Sequence, residues 1–123
     1  MKELTRAEEE IMQKLWKLKK AFVKDIIQEL PEPKPAYNTV STIVRILEGK
    51  GFVGHESFGK SHRYYPLVSL DAYREFATDK LVSSYFNNSE RSVLSFFLER
   101  QSLEIKDVDE IMHWIEKARK TKH

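Results

Sequence analysis

Between Gly51 and Leu67 the spacing of apolar residues changes from a helical repeat to alternation, and this change restricts the possible folds more than any other feature of the chain. Phe52-Val53-Gly54-His55-Glu56-Ser57 and His62-Arg63-Tyr64-Tyr65-Pro66-Leu67 flank Phe58-Gly59-Lys60-Ser61, the pattern of a β-hairpin with Gly59 at its tip. On a strand Tyr64 and Tyr65 point to opposite faces, so one is expected in the core and the other on the outer face.

Helical spacing governs everything before the hairpin. Leu4, Ile11, Leu15 and Leu18, with Met12 and Trp16 alongside, predict a first helix over about Arg6 to Leu18, and Thr5-Arg6-Ala7-Glu8 reads as its capping box. Val23, Ile26, Ile27 and Leu30 predict a short second helix, ended by Pro31, which cannot donate the next backbone hydrogen bond. Pro31, Pro33 and Pro35 then alternate, which favours a stiff extended link. A third helix follows with the stripe Val40, Ile43, Val44 and Leu47; Asn38 is its expected cap, and it stops near Gly49 and Gly51.

After the hairpin, Ser69 and Asp71 introduce a long helical pattern that reaches Tyr85 and ends at Asn87-Asn88. A fifth helix is expected over about Glu90 to Arg100 and a sixth over about Lys106 to Lys120. Short helices carrying several large apolar residues have little to offer one another within one chain, so association with a second copy is expected. The residues predicted to form that dimer are Tyr85, Leu94, Phe97, Leu98, Val108, Ile111, Met112 and Ile115.

The predicted fold class is therefore mainly α with a small β-hairpin. Three helices and a hairpin within residues 1–68 have the element order of a winged helix-turn-helix domain, and residues 69–123 form a three-helix dimerisation region. In a winged helix the third helix enters the major groove and the hairpin reaches the backbone or minor groove.

Charge follows the same division. The net charge of the 123 residues is only +2, yet residues 34–63 hold Lys34, Arg45, Lys50, Lys60 and Arg63 against Glu48 and Glu56 alone. Residues 1–33 are balanced, and the remainder is slightly acidic. The surplus falls on the third helix and the hairpin, where Asn38, Thr39, Ser41 and Thr42 add short hydrogen-bonding groups. Only about two turns of a helix fit deep in a groove about 12 Å wide, so Thr39, Ser41, Thr42 and Arg45 are the expected base readers. Lys60 and Arg63, with Ser61, are the expected phosphate contacts.

The sequence also excludes much. With no cysteine, disulfides, thiolate zinc sites, iron–sulfur clusters and cysteine nucleophiles are ruled out. His55 and His62 are close enough in the hairpin for an opposed pair, but further ligands are missing, so they read as wing surface or phosphate contacts and no metal is expected. Glu110 and His113 make a single Glu-x-x-His pair, where a di-iron bundle needs two. Trp16 and Trp114 lie beside apolar stripes and read as packing residues. No nucleophile with its base, phosphate-cradling glycine loop or carboxylate dyad is present, so the chain is expected to be no enzyme and to take no cofactor. Six charges (Lys2, Glu3, Arg6, Glu8, Glu9, Glu10) precede the first apolar run, unlike a signal peptide, and no apolar stretch has membrane-spanning length. A soluble, cytoplasmic protein without membrane insertion is expected.

Leu4-Thr5-Arg6-Ala7-Glu8-Glu9-Glu10-Ile11-Met12 with Leu15-Trp16, then Asn38-Thr39-Val40-Ser41-Thr42, Leu47, Lys50-Gly51-Phe52 and Tyr64-Tyr65-Pro66-Leu67, together resemble the BlaI/MecI penicillinase-repressor family. Leu98-Glu99-Arg100, Ser102-Leu103 and Asp109-Glu110-Ile111 extend the resemblance to the last two helices. It implies a homodimeric bacterial repressor that binds a palindromic double-stranded DNA operator through winged helices. It further implies relief by a membrane-bound sensor metalloprotease, with a cut between an asparagine and a phenylalanine; the matching pair here is Ser95-Phe96, which keeps only the phenylalanine. The cysteine-rich motif of the copper-responsive relatives is missing. The rival reading is a winged-helix protein–protein adaptor, which needs no basic third helix or wing.

Overall fold

The computed structural model describes residues 1–100 and 104–121, with Ile105, Ile115 and 118–121 described by backbone only. The side chain of Ile115, predicted to lie in the dimer, is thus outside the described residues, as are Ser102 and Leu103. The elements are α1 (Arg6–Leu18), α2 (Val23–Glu29), α3 (Tyr37–Gly49), β1 (Val53–Phe58), β2 (Ser61–Pro66), α4 (Leu70–Tyr85), α5 (Glu90–Glu99) and α6 (Ile105–Thr121). The fold is mainly α with one antiparallel hairpin, as the periodicity predicts.

By its contacts the chain forms two compact units, Met1–Phe76 and Ala77–His123. The division falls inside α4, later than the end of the hairpin, because Tyr73 belongs to the first unit's core and Phe76 packs against it.

In the first unit α1 opens on the expected capping box: Thr5 Oγ1 accepts the Glu8 N–H at 3.2 Å and the Glu8 carboxylate accepts the Thr5 N–H at 2.7 Å. Its apolar stripe buries Ile11, Met12 and Leu15. The chain leaves α1 through Lys19 at φ 71° and enters an extended residue, Ala21, which exchanges two backbone hydrogen bonds with Tyr64. The N–H groups of α2 begin after Phe22, whose own N–H is accepted by Asp25 Oδ2 at 3.0 Å. At the other end of α2 the Lys34 ammonium donates to the carbonyls of Gln28 and Leu30, which satisfies acceptors that a helix end leaves free.

The start of α3 corrects one expectation. Asn38 is not the cap: Ala36, extended at ψ 150°, takes that position, and its carbonyl accepts the Val40 N–H. The link before it is not extended throughout as expected: it bends at Glu32 and Pro33, across a cis Glu32–Pro33 bond, and Ala36 is extended just ahead of α3. Asn38 therefore lies inside the first turn, free of the capping role. The end of α3 follows the glycine signal: Phe52 N–H donates to Leu47 O and Gly51 N–H to Glu48 O, the paired bonds of a Schellman motif, with Gly51 at φ 83°.

The hairpin pairs Val53 with Pro66 through to Phe58 with Ser61 around the two-residue turn Gly59-Lys60. Tyr64 and Val53 enter the core; Tyr65 lies over Gly54 on the opposite face, where a Cβ on that glycine would stand 2.9 Å from the Tyr65 hydroxyl. The core joins Met12 and Leu15 of α1, Ile26 of α2, Val40, Val44 and Leu47 of α3, and Phe52 and Val53 before and within β1. Trp16 packs as expected, its ring 5.6 Å from Tyr73 and its Nε1 donating to Val68 O at 2.9 Å. Burial first, then the neighbouring Glu9 carboxylate, pushes the Tyr73 phenol up to about 12.

In the second unit Ser89 caps α5 by accepting the Ser92 N–H, after Asn87 and Asn88 turn the chain in the left-handed region. None of the α5 residues is buried, and Tyr85 and Trp114 are 78% and 62% exposed. Leu94, Val108 and Ile111 are half-buried, whereas Phe97, Leu98 and Met112 are exposed. No described helix is long and apolar enough to cross a membrane.

Candidate nucleic-acid interface

The exposed side of α3 is set by what its other side buries. With Val40, Val44 and Leu47 turned into the core, Asn38, Thr42 and Arg45 fall in one row on the opposite side, at the spacing of successive helical turns. The Thr42 hydroxyl donates to Asn38 O at 2.8 Å, which leaves its oxygen as an acceptor. Arg45 Nε donates to Ser41 O at 3.4 Å, and the side chain is exposed. Two expected base readers sit apart from this row. Ser41 is half-buried, and Thr39 turns toward a groove of about 340 Å³ lined by Pro31, Pro33, Pro35 and Ile43.

The five cations of residues 34–63 also separate. Lys34 serves the end of α2. Lys50 Nζ stands 2.7 Å from the Glu8 carboxylate, which is buried at 4% exposure. Arg63 reaches Glu56 at 3.4 Å and stacks over the Phe58 ring at 4.8 Å. Arg45 and Lys60 carry no ion pair among the described residues, and both are exposed. Lys60 and Ser61 lie together at the hairpin tip; Arg63 is further along β2 and already compensated.

Burial raises the Glu8 carboxyl, but the Lys50 ammonium and the Thr5 donors outweigh it and hold Glu8 below its ordinary value of 4.5. Glu56 is also held low, chiefly by the Lys20 ammonium at 3.0 Å. Lys20 is a cation of the wing that the charge count along the chain does not reveal, because Ala21 brings it to β2 through pairing with Tyr64.

Residue pairing corrects the expected histidine geometry. His55 faces Tyr64 and His62 faces Ser57, so the two histidines are diagonal, not opposite. Their rings stack 4.1 Å apart at 8°, and His55 Nδ1 contacts the Glu48 carboxylate of α3. Among the described residues no group of three or more His, Asp or Glu is placed to hold a metal.

Helices α1 to α3 followed by a hairpin, with an exposed polar row on α3 and a lysine at the hairpin tip, define a winged helix-turn-helix domain. The solution structure of the DNA-binding domain of the repressor BlaI aligns with a TM-score of 0.51 at 27% identity, covering 59% of this chain and 94% of that one. The penicillinase repressor family profile matches residues 4–117, and the chain belongs to that family. Its members are DNA-binding transcriptional repressors, not enzymes. The methicillin resistance regulatory protein MecI of Staphylococcus aureus (strain N315) is 25% identical over 116 residues, 94% of each chain. The penicillinase repressor of Bacillus licheniformis is 24% identical over 121 residues, covering 98% of this chain and 94% of that one.

Proposed function

We propose that this chain is a cytoplasmic, homodimeric bacterial repressor that binds a palindromic operator and blocks a promoter by occupying it. The observation that carries the reading is the exposed row Asn38, Thr42 and Arg45 beside a wing whose tip holds Lys60 and Ser61. Asn pairs with adenine, Thr contacts either base edge or the thymine methyl, and Arg pairs with guanine or holds a phosphate. Thr39 and Ser41 belong to the edges of this surface, and Arg63 supports the wing from which Lys60 reaches a phosphate.

The winged-helix domain extends over about residues 1–68 and the dimerisation region over 69–123. Tyr85, Leu94, Phe97, Leu98, Val108, Ile111 and Met112 supply the apolar faces that meet in the dimer. Tethering two half-site readers raises the effective concentration of the second to roughly millimolar, so a weak single contact becomes tight binding. Relief follows a cut between Ser95 and Phe96 by a membrane-bound sensor metalloprotease. Phe96 is partly exposed on α5 and packs against Phe86 and Phe97. Mass spectrometry of the chain from induced host cells should find a break at Ser95-Phe96; an intact chain under full induction contradicts that step.

Selection of bound duplexes from a random pool tests the reading as a whole. Recovered duplexes should share a palindrome with half-sites about one or two helical turns apart. Recovery of no enriched sequence would favour the adaptor.

A further inference from the structure

One large apolar side chain stands on the side of α3 opposite the core. Asn38, Thr42, Arg45 and Gly49 are exposed there, and Ile46 stands among them at 47% exposure. The other isoleucine of the helix, Ile43, is half-buried and packs against the core, so the core uses one of the pair and leaves Ile46 in water. Helical geometry sets Arg45 and Ile46, three and four residues after Thr42, on its two flanks. The Arg45 flank continues to Glu48, which meets His55 of the wing. The Ile46 flank, away from the wing, is shared with Thr39 and Ile43, which line the groove beside Pro33 and Pro35. In the last turn Gly49 adds no side chain to this face, and the space where its Cβ would stand is open, so a duplex can approach closely.

We infer that Ile46 is a specificity-determining residue that packs on the C5 methyl of a thymine in each half-site. The inference rests on the DNA-binding reading above and deepens it, because it assigns a base to the flank of α3 that lacks hydrogen-bonding groups. In the major groove thymine alone presents a methyl; the other base edges there present donors and acceptors. An isoleucine set against the cytosine amino group would leave a donor unpaired, whereas against the thymine methyl it buries apolar surface on both sides. β-Branching holds an isoleucine on a helix in essentially one χ1 well, so little side-chain freedom is lost in the contact. Arg45 and Ile46 divide the readout between them, hydrogen bonds and charge on the wing flank and an apolar contact on the other.

The test replaces thymine by 2′-deoxyuridine, which keeps every hydrogen-bonding atom of thymine and lacks only the methyl. In the palindromic duplex taken from the random-pool selection, each thymine of a half-site is replaced in turn together with its symmetry mate. Fluorescence anisotropy then reads the affinity of the full-length chain. One position should weaken binding roughly tenfold or slightly more, about fourfold per half-site for one buried methyl group. Ile46→Ala should bind the thymine duplex at about that weakened level and lose the penalty at that position. Ile46→Val, which keeps the branch, should retain most of it. Alanine favours helix at an exposed position, so Ile46→Ala is expected to fold. Its salt slope should match that of the unsubstituted protein, because an apolar contact releases no counterions. The inference is overturned by a selected half-site without thymine, by indifference to the methyl at every position, or by a penalty of equal size in Ile46→Ala. Each of those results leaves the DNA-binding reading standing, whereas binding of no duplex by the unsubstituted protein removes both.

Discussion

Lys50 Nζ stands 2.7 Å from the carboxylate of Glu8, which joins the end of α3 to the first turn of α1. Glu8 is the one charged residue buried with the first unit's core among the described residues, and it also accepts the Thr5 N–H. Lys50 further donates to the Glu3 carbonyl at 3.2 Å. Lys50 thus ties the end of α3 to the segment that starts α1.

Removing one partner leaves the other charge buried. Lys50→Met should destabilise the protein by about 1–3 kcal/mol, less than a fully buried pair would because Lys50 keeps some solvent contact. Urea unfolding measures the loss. A change within error of zero would mean that Glu8 finds another partner.

The same pair predicts an acid-sensitive stability. The Glu8 carboxyl is held below 4.5 in the folded state, so its contribution is complete above that value and is lost as pH falls through the lowered folded value. A Glu8→Gln variant should be less stable than the unsubstituted chain near neutral pH. The gap should close as pH falls through the lowered folded value of Glu8, below which a protonated carboxyl and an amide are alike in charge. Thermal unfolding at several pH values reads this directly, and a gap that stays constant or widens on acidification would disprove it.

Gly51 closes α3 at φ 83°, where a side chain is strained even though the space around it is open. Gly51→Ala should cost about 1 kcal/mol or slightly more. Calorimetric melting would show it as a drop of several degrees, and an unchanged melting temperature would place the strain elsewhere.

Lys60 and Arg63 should differ in the salt dependence of DNA binding. Lys60→Ala is expected to lower the salt slope by roughly 1, as loss of one phosphate contact does. Arg63→Ala should change the slope less, because Glu56 and the Phe58 ring already hold that guanidinium. Equal slopes for both variants would mean that the Glu56 pair opens on binding.

In the second unit, Leu94→Asp should produce a monomer by analytical ultracentrifugation at micromolar concentration and weaken operator binding while leaving every DNA contact in place. A monomer in the unsubstituted protein would remove the dimer from the account.

Local signals were legible in the sequence wherever the partner lay within a few residues. The Thr5–Glu8 box, the Pro31 stop, the Gly51 turn and the Gly59 tip each depend on backbone groups three or four positions away, and each appears where expected. Asn38 misled because a capping preference is weak beside the position of the extended residue, which is Ala36. Charge was the least legible property of the candidate site. Lys50 meets its partner 42 residues away and Lys20 meets Glu56 36 residues away, so a count along the chain credits the surface with charges that the fold has neutralised. The Glu48–His55 contact was hidden for the same reason: a helix and a strand supply one residue each, and only the packing of the hairpin on α3 brings them together.

The central claim is that the exposed row of α3 reads DNA, and Arg45 is its most direct probe. Affinity for a duplex from the selected pool should fall by about 1–3 kcal/mol in Arg45→Ala if the side chain reads a guanine, and discrimination at that base pair should relax. Unchanged affinity, salt dependence and base preference in a folded Arg45→Ala protein would contradict the account.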